Sequence, residues 1–269
     1  MANNENKERN SQSTEKVFLI LEHLMNNRLP VRLQDVSDEL KIPQPTLLRY
    51  FNTLVRENYV YQDEDTKRYA MTWKICRFSH LLRSSMGIRS IVGPYLNRLS
   101  SKLNLSSCVV ILNGYESIYV DLVETTGGMP NTLLRIGKQA PLHSTGSGKI
   151  MLSTFSEHEF DKYVNGKGLI KLTENTITDK DRLKKELNDI RIRRYAQDKE
   201  ECEPCLRCIS VPVYDYTNGI AAAISVFGHV SQISDDYMTG EVLQELFQVS
   251  REVSHKFGCD KEVWEDFKM

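Results

Sequence analysis

One stretch of the sequence decides the fold of the first part of the chain: Pro45-Thr46-Leu47-Leu48-Arg49-Tyr50-Phe51-Asn52-Thr53-Leu54. Its apolar residues recur at the helical spacing i, i+3, i+4 and i+7, as Leu47, Tyr50, Phe51 and Leu54. Pro45 suits the first turn of a helix, because a proline there lacks only an N–H that the helix leaves unpaired anyway. The stretch therefore predicts a helix with an apolar core face and a polar face, the latter formed by Thr46, Arg49, Asn52, Thr53 and Arg56.

The segments around this helix predict a winged helix-turn-helix. Upstream, residues 33–40 form a short helix that ends before Pro43, and residues 14–26 carry an apolar stripe made of Val17, Ile20, Leu21, Leu24 and Met25. Downstream, residues 59–62 and 68–71 are strand-like and enclose a charged hairpin tip. Helix, short helix, turn, helix and hairpin is the order typical of this DNA-binding motif. Residues 1–12 are almost entirely polar and predict a disordered arm.

In this motif the third helix enters the major groove, and its first turns face the bases. The candidate DNA contacts on the helix are Gln44, Pro45, Thr46, Arg49 and Thr53. Gln and Arg pair in a bidentate way with purine edges. On the predicted wing, Lys67 and Arg68 suit phosphates, which provide affinity without sequence information. The alternative is a small helical bundle with ordinary solvated charges.

The whole-chain charge conceals an asymmetry. Taken alone, the net charge of -1 argues against a nucleic-acid partner. Residues 1–90, however, hold 14 Lys and Arg against 11 Asp and Glu, whereas residues 91–269 hold 21 against 25. A basic module is thus joined to an acidic remainder, and the positive charge lies where the recognition helix and the wing are predicted.

The rest of the chain predicts an α+β domain with an antiparallel sheet. Strand-like segments occur at 108–112, 117–123, 132–135, 208–214 and 220–227, and helical patterns at 73–82, 91–103, 181–194 and 241–257. Asn218-Gly219 predicts a tight primed turn between the last two strands. The predicted domains are an arm (1–12), a DNA-binding domain (13–80), a connecting region (81–92) and the α+β domain (93–269).

Two motifs in the second domain invite a chemical interpretation without completing it. The glycine-rich run from Ser144 to Lys149 fails as a phosphate-binding P-loop, because the flanking positions hold His143 and Ile150. The spacing of Cys202, Cys205 and Cys208 could provide three thiolates to zinc, yet a fourth ligand is missing. His143 has no nucleophile in a recognisable elbow, so a polar residue near a pocket is favoured over a catalytic base. The sequence therefore predicts no metal, no cofactor and no catalytic residue.

Composition limits the class of protein. The mean hydropathy is -0.42, and no run approaches the roughly 20 apolar residues of a membrane span. The first 12 residues are polar where a signal peptide would be apolar. We therefore expect a cytoplasmic protein that does not bind membranes, whose six cysteines are thiols rather than a disulfide framework.

Several segments resemble one family of regulators. They are Leu40–Arg49, Tyr69–Thr72, Gly137–Lys149, Asp198–Glu201 and Cys208–Asp215. Their residues, order and spacing are similar to those of the IclR family of bacterial transcription regulators, from about residue 14 to residue 258. Within the family, the sugar-acid and ketoacid regulators look closest.

The resemblance implies a DNA-binding transcription regulator, without enzymatic activity, that has a GAF-like effector domain joined by linker helices. It implies homodimers or homotetramers on double-stranded DNA with a pseudo-palindromic operator, and a small carboxylate effector, in control of a catabolic operon. Whether the protein activates or represses stays open. By position, the effector-binding residues would be Met129, Gly146, Ser147, Asp198, Cys208 and Ser225.

Five residues depart from the family's pattern. Phe227 replaces a small polar residue and is expected to shrink the pocket or remove a hydrogen bond, while Pro45 and Leu48 are expected to alter the DNA sequence that is read. Cys202 and Cys205 replace ordinary residues and leave room for a metal or redox input. Two alternative functions stay open. One is a thiol- or metal-responsive sensor, or an enzyme, that uses Cys202, Cys205 and Cys208. The other is an adaptor that uses the winged helix to bind protein.

Overall fold

The computed structural model describes residues 12–27, 29–76, 87–125 and 136–260. The chain divides into two compact units, Met1–Ser85 and Met86–Met269. Several sequence-based expectations lie wholly or partly outside the described residues. They are the arm (1–12) up to residue 11, the helix at 73–82 beyond residue 76, the connecting region (81–92) before residue 87, the strand at 132–135 and Met129. Within the described ranges, none of the helices combines the length and the apolarity that a membrane span requires.

The first unit is the winged helix-turn-helix that the sequence predicts. Its elements are α1 (Gln12–Asn26), α2 (Leu33–Leu40), α3 (Gln44–Arg56), β1 (Val60–Gln62) and β2 (Tyr69–Met71). β1 and β2 pair antiparallel, with Tyr61 opposite Ala70. Helix α1 begins at Gln12, two residues before the predicted start.

A single apolar cluster holds this unit together. It joins Ile20 and Leu24 of α1 to Leu47, Phe51 and Leu54 of α3. Four predicted core residues behave differently, because Val17, Leu21 and Tyr50 are only half-buried and Met25 is 56% exposed. The core stripe is therefore narrower than the sequence pattern indicates.

Two local features shape the turns of this unit. Lys41 adopts a left-handed backbone (φ 55°) that ends α2, and the Ser37 hydroxyl donates to the Ile42 carbonyl at 2.7 Å. At the wing tip, the Asp63 carboxylate accepts hydrogen bonds from the backbone N–H and the hydroxyl of Thr66, both at 2.7 Å. Such side-chain caps replace backbone pairing in tight turns.

The second unit is built around a six-stranded antiparallel sheet in the order β5-β4-β3-β8-β7-β6. The strands are β3 (Ser106–Asn113), β4 (Glu116–Val123), β5 (Gln139–Pro141), β6 (Ala196–Lys199), β7 (Leu206–Tyr214) and β8 (Ile220–His229). The helices are α4 (Ile88–Leu103), α5 (Gly146–Leu152), α6 (Glu157–Lys167), α7 (Lys180–Arg193), α8 (Asp235–Tyr237) and α9 (Leu243–Lys256), with a π-helical turn at Met238–Val242.

Strand alternation divides this unit into two layers. Ile209, Val211 and Val213 of β7 share an apolar cluster with residues of α4 and α9. The alternate residues of the same strand, Cys208 and Ser210, point to the opposite face because successive side chains alternate along a strand. Helix α5 packs on that opposite face, against β7 and β8. This opposite face of the sheet therefore carries polar side chains and is covered by α5, so a site on it would be buried.

The sequence patterns missed five elements of this unit. Strand β5 and helix α5 lie in the stretch interpreted as a glycine-rich loop, and β6, α6 and the short α8 were not predicted. The glycines of α5 are required by packing. A Cβ on Gly146 would lie 2.6 Å from the Ser210 hydroxyl, and one on Gly148 would lie 2.5 Å from the Leu142 carbonyl oxygen. Close packing, rather than a phosphate-binding loop, accounts for both glycines.

The turn between β7 and β8 also differs from its prediction. The type I′ turn that Asn-Gly favours requires positive φ at both central residues, whereas Asn218 (φ 60°) is positive and Gly219 is not. The Asp215 carboxylate accepts from the Thr217 N–H at 2.8 Å and from its hydroxyl at 2.6 Å. The hairpin is confirmed, but its loop spans residues 215–219 and is closed by Asp215.

Candidate functional site

The predicted DNA-contacting residues lie along one accessible face of α3. Gln44, Pro45, Arg49 and Thr53 are exposed, and Thr46 is half-buried. The Thr53 hydroxyl donates to the Arg49 carbonyl at 3.0 Å, so only its lone pairs stay available to a partner. The structure therefore brings the five helical candidates to one surface.

Helix α2 orients the first of these residues. The Gln44 side-chain amide donates to the Gln34 side-chain oxygen, and Gln34 donates in turn to both Asp38 carboxylate oxygens at 2.9 Å. Sequence reasoning missed Gln34 and Asp38. The sequence signal that could have indicated their pairing is their i, i+4 spacing on α2, which places both side chains on one helical face.

The two wing candidates are not equivalent. Lys67 is exposed at the tip, where its backbone is left-handed (φ 54°). Arg68 is half-buried, and its guanidinium donates to the Pro30 carbonyl at 3.1 Å. Part of the donor capacity of Arg68 is thus used to hold the wing against the segment after α1.

In the second unit, predicted effector residues meet at a small cavity on the covered face of the sheet. The cavity is lined by Cys108, Tyr119, Thr145, Ser147, Asp198, Cys202, Leu206, Cys208, Ser225 and Phe227. Its volume is about 10 Å³, which is room for roughly one water molecule. Phe227 is one of the lining residues. This volume is smaller than that of an organic acid.

Gly146 lies at the edge of this cavity, since a Cβ added to it would be 3.3 Å from the Cys208 sulfur. Thr145 caps α5, and its hydroxyl accepts the Gly148 N–H at 2.9 Å. The first N–H groups of a helix have no acceptor within the helix, and here they belong to Gly146 and Ser147. The chain thus presents two backbone donors at the wall of the cavity.

Small polar side chains continue the wall across two strands. The Ser210 and Ser225 hydroxyls are 2.7 Å apart, and the Cys208 sulfur is 3.4 Å from the Ser210 hydroxyl. These residues are neighbours because β7 and β8 pair with Ser210 opposite Ser225. The row offers hydroxyl groups to a ligand without adding charge.

A buried charge cluster adjoins the cavity. Asp198 is 2% exposed, and its Oδ1 accepts the backbone N–H groups of Glu201 at 2.7 Å and Cys202 at 3.3 Å. Burial raises the pKa of Asp198 to about 7, although the nearby Lys149 ammonium opposes the shift. Lys149 is itself 1% exposed, and its Nζ lies 2.5 Å from Glu201 Oε1.

The cysteines do not form the arrangement that a metal site requires. Cys205 is exposed, Cys208 is buried and Cys202 is half-buried. Within the described ranges, no cluster of three or more His, Cys, Asp or Glu side chains is placed to hold a metal ion. The three thiols therefore do not converge on a common point with a fourth ligand.

The thiols at the cavity are also poor nucleophiles. Burial raises the pKa values of Cys202 and Cys208 to about 12 and that of Cys108 well above its usual range. A reactive cysteine needs a lowered pKa, because the thiolate is the nucleophile. The electrostatics thus argue against a reactive-thiol sensor or a thiol enzyme at this cavity.

His143 has a structural setting. Its ring nitrogens lie 2.8 Å from the Tyr163 hydroxyl and 3.0 Å from the Ile170 carbonyl. Burial lowers the pKa of His143, so the neutral ring is favoured. A neutral, doubly hydrogen-bonded ring holds the segment that precedes α5.

A larger, open cleft of about 440 Å³ lies outside β6, between α7 and the start of β7. It is lined mainly by charged side chains that pair with one another, such as Arg193 with Glu186 at 2.6 Å. None of the predicted site residues lines it. We therefore place the candidate effector site at the smaller cavity, where the predicted residues meet.

Comparison with known proteins matches both units. Residues 13–64 match the IclR helix-turn-helix domain, and residues 80–255 match the bacterial transcriptional regulator IclR C-terminal domain. The HTH-type transcriptional regulator XynR of Escherichia coli (strain K12) is 27% identical over 248 residues, which cover 92% of this chain and 97% of that protein. The HTH-type transcriptional repressor AllR of the same strain is 27% identical over 253 residues, covering 93% of this chain and 92% of that protein.

Solved structures agree. The Thermotoga maritima IclR structure has a TM-score of 0.59 and 28% identity, and the match covers 91% of this chain and 98% of that one. The Agobacterium tumefaciens repressor BlcR has a TM-score of 0.69 at 20% identity, covering 91% of this chain and 96% of that one. At this lower identity, the match to BlcR supports the fold alone.

Proposed function

The chain belongs to the IclR family of bacterial transcription regulators, and from this premise we propose that it controls a catabolic operon in response to a small organic or sugar acid. As a member of that family it is a DNA-binding regulator with an effector-binding domain. The relatives named above are transcription regulators, which supports a binding protein rather than an enzyme.

In this proposal residues 13–80 bind DNA, residues 81–92 link the domains, and residues 93–269 bind the effector and oligomerise. The protein acts in the cytoplasm as a homodimer or homotetramer. A two-fold dimer presents two recognition helices, so the operator is a pseudo-palindrome. The half-site spacing in a footprint would test the symmetry, and an operator without repeated half-sites would contradict it.

The observation that carries the DNA-binding proposal is the exposed polar face of α3. Arg49 is exposed there and can pair with a guanine edge. We expect Arg49→Ala to weaken operator binding by on the order of 1–3 kcal/mol and to relax specificity at one base pair. Titrations of operator and random DNA by fluorescence anisotropy would measure both effects.

Arg56→Ala is the matched control, because Arg56 is also exposed on α3 but lies at its C-terminal end. It removes the same charge without removing a predicted base contact. We expect it to lower operator and random affinity alike. Equal behaviour of the two variants would show that the recognition surface is misplaced on α3.

For the effector, we propose that the backbone N–H groups of Gly146 and Ser147 bind its carboxylate, with Asp198, Cys208 and Ser225 lining the site and Met129 closing one side. The support is that four of these residues line one cavity and that Gly146 borders it. Backbone N–H groups arranged in this way suit an anion. Because the cavity holds roughly one water molecule, binding must be accompanied by its expansion.

Two variants at one position separate the backbone from the side chain. Ser147→Ala keeps the N–H, whereas Ser147→Pro removes it at a place in the helix where α3 already carries Pro45. In a thermal-shift screen of small organic acids, an acid at about 100 times its Kd stabilises by about 2.7 kcal/mol. We expect Ser147→Ala to retain this response and Ser147→Pro to lose it. An equal response from both variants would exclude the N–H groups as the anion site.

A further inference from the structure

The cavity wall is unusual in its charge balance. Beside it lie three carboxylates and two cations. Asp198 and Glu201 are buried, Glu186 is partly buried and pairs with Arg193 at 2.6 Å, and Lys149 pairs with Glu201 at 2.5 Å. If all five groups were ionised, the cluster would carry one net negative charge, which falls on the buried Asp198, and an uncompensated buried charge is costly.

Lys149 is already committed within this cluster. Its Nζ lies 2.5 Å from Glu201 Oε1 and 3.9 Å from Glu186 Oε1. The hydrogen bonds recorded for the Asp198 carboxylate are of another kind, because its Oδ1 accepts two backbone N–H groups. The ammonium of Lys149 is therefore balanced before any ligand arrives.

Among the described residues, the other titratable groups that line the cavity do not supply positive charge. They are Tyr119 on β4, Cys108 on β3, Cys208 on β7 and Cys202 in the turn after β6. Burial raises the pKa of each of these four groups, so they are neutral near pH 7. Among the described residues that line the cavity, Asp198 is thus the titratable group that can change charge near pH 7.

We propose that the effector enters this cavity as a carboxylate accompanied by one proton, which Asp198 holds, so that the site selects monocarboxylates and binds them more weakly as pH rises. The inference rests on the proposed effector function of the cavity. It assigns Asp198 the role of a neutral carboxylic acid in the complex rather than that of a second anion.

The proton balance is simple. The Asp198 carboxylate takes one proton from solvent, and the resulting O–H donates a hydrogen bond to an oxygen of the effector. Two carboxylates that share a site hold one proton between them, because both cannot ionise at close range. The raised pKa of Asp198, about 7 before any ligand binds, makes this proton available near neutral pH. A dicarboxylate would bring a second negative charge that none of the lining residues in the described part of the chain neutralises.

Calorimetry with acetate, glycolate and lactate as probes tests the proposal in the full-length protein. These acids stay ionised above about pH 6, so a change in affinity belongs to the protein. We expect the Kd of a bound probe to rise about tenfold per pH unit above about pH 7. Titrations in buffers of different ionisation enthalpy should show uptake of up to about one proton per site. A Kd and a heat that do not depend on pH or buffer would overturn the proposal.

Two variants sharpen this experiment. Asp198→Asn mimics the neutral acid, so it should bind the same probe without proton uptake and without a pH slope. Asp121→Asn is the matched control, because Asp121 is a buried carboxyl of the same unit, on β4, paired with Arg89 at 3.1 Å. It should leave the proton uptake of the parent protein unchanged.

A second measurement separates failure of the proton proposal from failure of the effector function. If no probe binds, the proposal of a carboxylate-binding site is wrong. The titration of Asp198 can still be followed in the wild-type protein by carbon NMR of labelled Asp carboxyls. We expect one Asp to titrate near pH 7, far above the usual value of about 3.9. If every Asp titrates below about pH 5, the proton proposal is wrong whatever the probes do.

Discussion

Gly148 illustrates how one missing side chain sets the position of α5. A Cβ at this position would lie 2.5 Å from the Leu142 carbonyl oxygen and 2.7 Å from the Leu142 Cα, both of them backbone atoms that cannot move independently. The segment 142–145 and the helix therefore approach as closely as they do because residue 148 is glycine. Ser147, at the cavity wall, is placed by this contact.

We expect Gly148→Ala to destabilise the protein by about 1–3 kcal/mol, the usual cost of forcing an extra methyl group into a packed site. The matched control is Gly166→Ala in α6, where a Cβ would meet nothing within 4 Å. Alanine there should stabilise the helix by up to about 1 kcal/mol, because it loses less backbone entropy on folding. Urea unfolding measures both, and the same sign for both variants would refute the packing argument.

Residues at the site were predictable to different degrees. Ser147, Asp198, Cys208 and Ser225 follow from a resemblance between segments of sequence, and the structure brings them to one cavity. Cys108 and Tyr119 were missed, because their position depends on β3 lying beside β8 and β4 lying beside β3. Such long-range strand order is not encoded in any local pattern.

At the scale of elements, α6 shows a signal that was present in the sequence and not used. Ser156 and Glu159 form a capping box. The Glu159 N–H donates to the Ser156 hydroxyl oxygen at 3.3 Å, and the Ser156 N–H donates to the Glu159 carboxylate at 2.8 Å. The Ser-x-x-Glu spacing predicts a helix start.

Removal of this cap should weaken α6. We expect Ser156→Ala to cost about 1 kcal/mol in the free energy of unfolding, because the Glu159 N–H loses its acceptor. Ser156→Thr keeps a hydroxyl and serves as the control, with a much smaller loss. Equal losses in urea unfolding would mean that the cap contributes nothing.

Helix α5 was not predicted from the sequence, for a physical reason. All seven residues of α5 are buried, so the helix has no polar face and no amphipathic period to detect, and two of its residues are glycines with low helix propensity. By contrast, α7 was predicted to within one residue at each end, because Leu183, Leu187 and Ile190 form a clear buried stripe. An amphipathic period in the sequence therefore reveals helices at the protein surface but not helices that are buried on all sides.

At the scale of the whole molecule, the chain of net charge -1 combines a basic unit with an acidic one. Counterion release makes DNA affinity depend on salt in proportion to the number of phosphates that are neutralised. In a protein with this asymmetry, that dependence should come from the first unit. Lys67 is exposed at the wing and is the clearest phosphate candidate.

We expect Lys67→Ala to lower affinity for operator and random DNA equally and to reduce the slope of log K against log salt by about 1. Lys171→Ala is the control, since Lys171 lies in the acidic unit and pairs with Glu174 at 2.7 Å. Its slope should match that of the parent protein. An unchanged slope for Lys67→Ala would remove the wing from the DNA interface.

The closed cavity also has a kinetic meaning. A site of about 10 Å³ cannot accept an acid by simple diffusion, so the walls must part before or during each binding event. If opening comes first, the observed association rate levels off as ligand concentration rises, at the rate of opening itself. Dissociation passes through the same opening, so the proposed effector would leave no faster than the cavity opens.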